Sequence, residues 1–202
     1  MAEDRKVYVV DDDAGVLESL TVLLSTLGFK ATGFGSADAF LKEYRPNGNA
    51  CLLLDIMMPG MDGLAMQQEL AVRKINLPVI FITGHGNVKM SVNAMKAGAF
   101  DFLEKPFRDD VLIASIEGAL AQQDEKLKKL ADIQCKTQAV ETLTPREKEV
   151  FTLLADGAAN KVVARKLGIS VRTTEVHRAH IMRKLEADSL SQLVRIAMAQ
   201  EN

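Results

Sequence analysis

The chain has 202 residues, 48% hydrophobic and 26% charged, a balance typical of folded globular proteins and long enough for one large or two small domains. The formal net charge of −2 names no partner by itself. No apolar run approaches the ~20 residues that span a bilayer, the start "MAEDRK" is not a signal peptide, and Cys51 and Cys135 have no metal-site spacing. These features point to a cytoplasmic protein with reduced thiols and exclude a membrane or disulfide-framework role.

Charge is unevenly distributed. Residues 1–121 carry 11 Lys/Arg against 16 Asp/Glu, a net of −5. Residues 142–202 carry 10 against 7, a net of +3, so separate jobs are expected, with a nucleic-acid surface in the second part.

In chain order, strands are predicted at "KVYVV" (6–10), "FKATGF" (29–34), "ACLLL" (50–54), "LPVIFIT" (77–83) and "AFDFL" (99–103). Near-continuous apolar runs such as "CLLL" and "VIFI" suit strands buried on both faces of a parallel sheet. Helical stripes lie between them: Val16, Leu20, Leu23, Leu24 and Leu27 form one, and Leu64, Leu70 and Ile75 another, with Gly28 and Gly98 at expected helix ends. Five βα repeats predict a doubly wound sheet. Ile113, Leu120 and Leu127 recur every seven residues, so the last helix is expected to run on through a linker, residues 122–141. That linker suits either a solvated helix or one pairing with a second copy. At "LTPREKEVF", Thr144 as N-cap, Pro145 at the first helical position and Glu147 as capping-box partner predict a strong helix start. Four short helices follow, broken at 156–160, 167–170 and 186–189, the size of a helix-turn-helix module.

Ligands of open parallel sheets sit beyond the carboxyl ends of the strands, where strand order reverses. Asp11, Asp12 and Asp13 follow strand one, Asp55 ends strand three, Thr83 ends strand four, and Lys105 lies just past strand five. With strand order 2-1-3-4-5 the acids converge. Converging carboxylates need a cation, and an all-oxygen site suits Mg²⁺.

The segments "VVDDD", "LLLDIMMPGMDG", "ITGHG" and "FLEKPF" resemble, in order and spacing, the four signature segments of response-regulator receiver domains, over residues 4–121. The resemblance implies that Asp55 takes a phosphoryl group from a phosphohistidine on a partner sensor kinase. It also implies that Asp12, Asp55 and the Met57 carbonyl hold Mg²⁺, with Asp11 assisting through water; Asp13 is left out. Lys105 would stabilise the transferring oxygens and Thr83 would donate to the attached group. Pro106 would fix Lys105 through a cis bond. The family's switch would use Thr83 and Phe102, a phenylalanine without the phenol often found there, and act on the face from helix four to strand five, roughly 86–107. Val88, Val92, Met95 and Lys96 on that face form a modest patch suited to a homodimer formed on phosphorylation.

Residues 159–185 hold seven Lys/Arg (161, 165, 166, 172, 178, 183, 184) and one acid, Glu175, the footprint of phosphate contacts. In "SVRTTEVHRAHIMRKL", capped by Ser170, the helical period points Thr174, His177, Ile181 and Leu185 inward and Arg172, Val176, Ala179 and Arg183 outward. Residues 142–200 resemble the DNA-binding domain of NarL/FixJ (LuxR-type) regulators, through "LTPREKEV", "NKVVARKLGIS" and "VHRAHIMRKL". The resemblance makes 170–185 a recognition helix for promoter DNA, with Lys161, Arg172, Thr173, Val176, Arg178 and Arg183 as candidate contacts. The last helix, 189–199, would pair two copies. Glu175 and Ala179, where some relatives carry lysine, favour the FixJ-like branch.

The expected architecture is therefore an α/β receiver domain (1–121), a helical linker (122–141) and a small all-α helix-turn-helix domain (142–202). The expected protein is a transcription regulator rather than an enzyme, with RNA polymerase as a further partner. An aspartyl-phosphate hydrolase is disfavoured because Met57 stands where an acid-base Asp is needed, leaving only slow self-dephosphorylation. RNA as the target is disfavoured because residues 159–185 contain no Phe, Tyr or Trp to stack on bases. His177 and His180 lack a third ligand for zinc.

Overall fold

The computed structural model describes residues 5–46, 48–84 and 88–200. The chain divides between Leu127 and Lys128 into two compact units.

In the first unit, β1 (Lys6–Val10), β2 (Lys30–Phe34), β3 (Ala50–Asp55), β4 (Val79–Thr83) and β5 (Asp101–Glu104) form one parallel sheet in the order β2-β1-β3-β4-β5. This is the expected order. It places β1 and β3 side by side where the winding reverses. Helices α1 (Ala14–Thr26), α2 (Ala37–Glu43), α3 (Gly63–Val72), α4 (Val88–Lys96) and the part of α5 (Asp109–Ala139) up to Leu127 alternate with the strands; the rest of α5 is assigned to the second unit. Most of the segment 122–141 therefore belongs to α5.

Every residue of β3 is buried, because both sheet faces are covered. On one face Leu52, Leu54 and Phe81 pack with Phe40, Met66, Leu70 and Ala94 from α2, α3 and α4. On the other, Val7, Val9, Leu53, Ile80 and Ile82 pack with Leu20 and Leu24 of α1 and Leu112 and Ile116 of α5. Alternating side chains thus feed two cores, which is why the strand reads as an unbroken apolar run.

Some edges differ from expectation. Leu27, expected in the α1 stripe, is the helix C-cap and is 39% exposed, so the buried part of the stripe ends with Leu24. β5 starts at Asp101 rather than 99: the Gly98 and Ala99 N–H groups bond back to Met95 and Ala94, closing α4 instead of joining the sheet.

In the second unit, α6 (Pro145–Ala155), α7 (Asn160–Leu167), α8 (Val171–Lys184) and α9 (Leu190–Gln200) enclose Val150, Phe151, Leu154, Val163, Ile181, Leu185, Leu193 and Ile196. Thr144 and Glu147 form the expected reciprocal capping box. Gly168, with φ of 65°, supplies the left-handed residue that ends α7 and lets Ser170, two residues later, cap the start of α8.

Candidate functional site

Asp11 follows β1 and is 2% exposed; its Oδ1 accepts the Asp13 N–H (2.9 Å). Asp55 ends β3 and is 6% exposed; its Oδ2 accepts the Met57 N–H (2.7 Å). Lys105 joins them, its Nζ donating to Asp11 Oδ2 (2.7 Å) and Asp55 Oδ1 (3.1 Å). The lysine is aimed there by its backbone: its N–H bonds the Thr83 carbonyl (2.7 Å), and the following Lys105–Pro106 peptide is cis. Burial of the ammonium works to lower its pKa, but its hydrogen bonds to Asp11 and Asp55, reinforced by their charge, raise it above the ordinary lysine value. Lys105 is therefore fully cationic at neutral pH.

Asp12 is exposed beside this trio, and Asp13 caps α1 by accepting the Gly15 and Val16 N–H groups. The preassembled cluster is thus Asp11–Lys105–Asp55 rather than three acids together. Among the described residues no group of three or more His, Cys, Asp or Glu side chains is arranged around a common metal position. The donor set nevertheless fits a hard divalent ion in kind. It offers only oxygen ligands, and its two buried carboxylates already require compensating positive charge.

Thr83 is fully buried. Phe81 pairs with Phe102 across β4 and β5, and Thr83 lies two residues beyond Phe81. Strand alternation therefore puts Thr83 and Phe102 on the same sheet face, toward α4. Phe102 packs half-buried against the core there. On α4, Val92 and Met95 are 42% and 47% exposed, and Lys96 is exposed. The side chain of Val88 and the last residues of "ITGHG", 85–86, lie outside the described residues.

The sequence reading missed Gly63. A Cβ there would stand 2.3 Å from the Asp55 carbonyl oxygen and 2.9 Å from Ile56 Cα. The Ile56 carbonyl gathers the Met58 and Gly63 N–H groups, folding "MMPGMDG" tightly back beneath Asp55. Asp62 then caps α3. The only sequence signal was the glycine that closes the motif.

In the second unit Thr174 and Ile181 of α8 and Leu185 at its C-cap are buried and His177 is half-buried, as the helical period predicts. Arg172, Thr173, Val176, Ala179 and Arg183 are exposed, as is Lys161 on α7; Arg178 is half-buried. The Thr173 hydroxyl is engaged with the Ser170 cap (2.8 Å). Lys184, counted in the basic stripe, stays partly exposed, but its Nζ is engaged within the domain, bonding Glu147 Oε2 at 2.7 Å. Glu147 is 4% exposed, and the Lys184 ammonium, helped by the Thr144 N–H, pushes its carboxyl down to about 2. His180 is exposed.

Comparison with known proteins follows this division. Residues 7–117 match the response regulator receiver domain, and residues 141–197 match the luxR family of bacterial regulatory proteins. The chain is 45% identical over 198 residues to the transcriptional regulatory protein FixJ of Bradyrhizobium diazoefficiens, covering 98% of this chain and 97% of that one. It is 44% identical to FixJ of Rhizobium meliloti, covering 97% and 96%. Among solved structures, the response regulator StyR superposes with a TM-score of 0.71 at 41% identity, covering 96% of this chain and 98% of that one. Full-length FixJ from B. japonicum superposes with a TM-score of 0.58 at 44% identity, covering 96% and 95%.

Proposed function

Because the chain belongs to the FixJ-like response regulators, which join a receiver domain to a luxR-family DNA-binding domain, we propose that Asp55 is its phosphoacceptor. In this reading Asp55 takes a phosphoryl group from a sensor histidine kinase, and the protein then dimerises and regulates transcription from promoter DNA with RNA polymerase.

The observation that carries the proposal is the Lys105 ammonium within hydrogen-bond reach of both Asp11 and Asp55 at the strand reversal. An Asp55 oxygen attacks phosphorus, the phosphorus–nitrogen bond of the phosphohistidine breaks, and the imidazole leaves. Anionic nucleophile and phosphoryl group repel, so the site must supply positive charge. A Mg²⁺ held by Asp12, Asp55 and the Met57 carbonyl, with Asp11 acting through water, would neutralise both. Lys105 follows the transferring oxygens, keeping its bond to Asp11 as it exchanges Asp55 for phosphoryl oxygen. The Thr83 hydroxyl donates to the attached group. Its movement opens space on the sheet face that Phe102 shares, and Phe102 turns inward to fill it. The face bearing Val92, Met95 and Lys96 is thereby altered for pairing with a second copy.

On the second unit, Arg172, Val176 and Arg183 face the major groove, with Lys161, Thr173 and Arg178 at its edges. Met57 beside Asp55 carries no proton to give or take, which fits an acceptor that holds its phosphoryl group rather than a hydrolase.

The test is incubation with acetyl phosphate and Mg²⁺, mapping of the acid-stable, hydroxylamine-labile label, and sedimentation. Label on Asp55, its loss in Asp55→Asn, and a mass increase with beryllofluoride are expected. Label on another side chain, or one unchanged monomeric mass, defeats the phosphoacceptor or the dimer part respectively.

A further inference from the structure

The first turn of α6 holds the far ends of both helices of the helix-turn-helix pair. Arg146 donates to the Leu167 carbonyl at the end of α7 (2.6 Å) and is itself paired with Glu149. The next residue, Glu147, accepts Lys184 Nζ from the last turn of α8 (2.7 Å). Glu147 Oε2 also accepts the Thr144 N–H (2.8 Å), so the carboxylate is fixed to the helix start before it reaches Lys184. With 4% exposure it has little water to turn to. A buried carboxylate held from two sides tolerates little displacement of either partner. The neighbouring Ile181 and Leu185 are fully buried and supply apolar contact, but apolar packing alone permits rotation about the α8 axis. The ion pair adds a polar tether between the last turn of α8 and the first turn of α6, which limits that freedom.

Resting on the DNA-binding reading above, we propose that Glu147 and Lys184 form a positioning strut that sets the orientation of α8. Lys184 then serves sequence readout by holding the helix and does not contact phosphate. Of the seven basic residues counted from the sequence between 159 and 185, it is withdrawn from the DNA-facing set. Its place in the last turn of α8, against the carbonyl end of the helix dipole, and that of Glu147 at the positive start of α6 favour the same pairing.

The strut differs from a phosphate contact and from a plain stability element in what its loss changes. A phosphate contact contributes about one unit to the slope of log affinity against log salt. A positioning element leaves that slope alone and lowers discrimination between specific and bulk DNA. A plain stability element changes neither while the domain stays folded.

The experiment uses the full-length chain with acetyl phosphate and Mg²⁺. The probes are a duplex selected from a randomised pool by the wild-type protein and sonicated bulk DNA. Lys184→Met and Glu147→Gln are measured against wild type at several salt concentrations, at a temperature where far-UV circular dichroism shows each folded. Both variants are expected to bind the selected duplex about tenfold more weakly, the value of one lost base-pair match. Both should bind bulk DNA within about twofold of wild type and keep its salt slope. A Lys184→Met slope reduced by about one unit, with Glu147→Gln normal, makes Lys184 a phosphate ligand and overturns the strut. Folded variants that discriminate as wild type does overturn it equally. A wild-type chain that selects no duplex and ignores bulk DNA fails differently: it removes the DNA-binding reading, and the strut's role with it.

Discussion

Gly63 lies against the end of β3 so closely that a Cβ on it would stand 2.3 Å from the carbonyl oxygen of Asp55. The clash would be with backbone, which no side-chain rotation can relieve. Gly63→Ala should therefore destabilise the first unit by about 2 kcal/mol, the usual cost of overpacking, and displace Asp55 relative to Lys105. Tyr8 and Tyr44 are the chain's two tyrosines, it has no tryptophan, and both lie in that unit. Tyrosine fluorescence during urea unfolding thus reports it selectively. An unchanged midpoint together with normal labelling by acetyl phosphate would show that the loop yields freely.

Lys105 compensates two buried carboxylates at once. Lys105→Met leaves them facing each other without a cation, which should cost about 2 kcal/mol in chelator after allowance for the partial exposure of the lysine. Added Mg²⁺ should restore more stability to this variant than to wild type, since the ion becomes the chief source of positive charge there. The comparison is of urea midpoints with chelator and with Mg²⁺. A variant that gains no more from the ion than wild type does would mean that the carboxylates and the metal are not linked.

The parts of the fold legible in the sequence are those where one local rule decides the outcome. "CLLL" could be read as a doubly buried strand because apolar residues fill both of its faces, and Thr144, Pro145 and Glu147 announced α6 because the capping box is local. Asp11, Asp55 and Lys105 were found by their positions at strand ends. Their actual linkage, one ammonium bonded to two acids while Asp12 stays exposed, depends on side-chain reach across three strands and was not visible. Gly63 was missed because its constraint is a steric contact with a residue eight positions earlier. Lys184 was placed in the basic stripe because charge counting is blind to a buried partner 37 residues away.

The two thiols should differ sharply in reactivity. Cys51 lies on β3 with no exposure, and burial pushes its thiol up to about 12, whereas Cys135 is exposed on α5. A disulfide-exchange reagent at pH 8 should label Cys135 quickly and Cys51 only as the first unit unfolds. Labelling rates resolved by peptide mass spectrometry decide this. Equal rates would mean that β3 opens readily in the native state.

The Glu147 carboxyl is pushed down to about 2 by Lys184 and the Thr144 N–H, against an ordinary glutamate value of about 4.3 in an unfolded chain. A carboxylate depressed in this way stabilises the folded domain wherever the pH is above its unfolded value. That contribution fades as the pH falls from roughly 4.3 toward 2, because the unfolded chain binds the proton first. At pH 7, Glu147→Gln should cost about 2 kcal/mol, less than a fully buried pair because Lys184 retains some exposure to water. The difference between variant and wild type should shrink through that acid window and nearly vanish at its lower end. Far-UV circular dichroism in urea measures it, read against tyrosine fluorescence, which follows only the first unit. A stability difference that stays constant from pH 7 down to 2.5 would show that the glutamate acts through packing, with its charge playing no part.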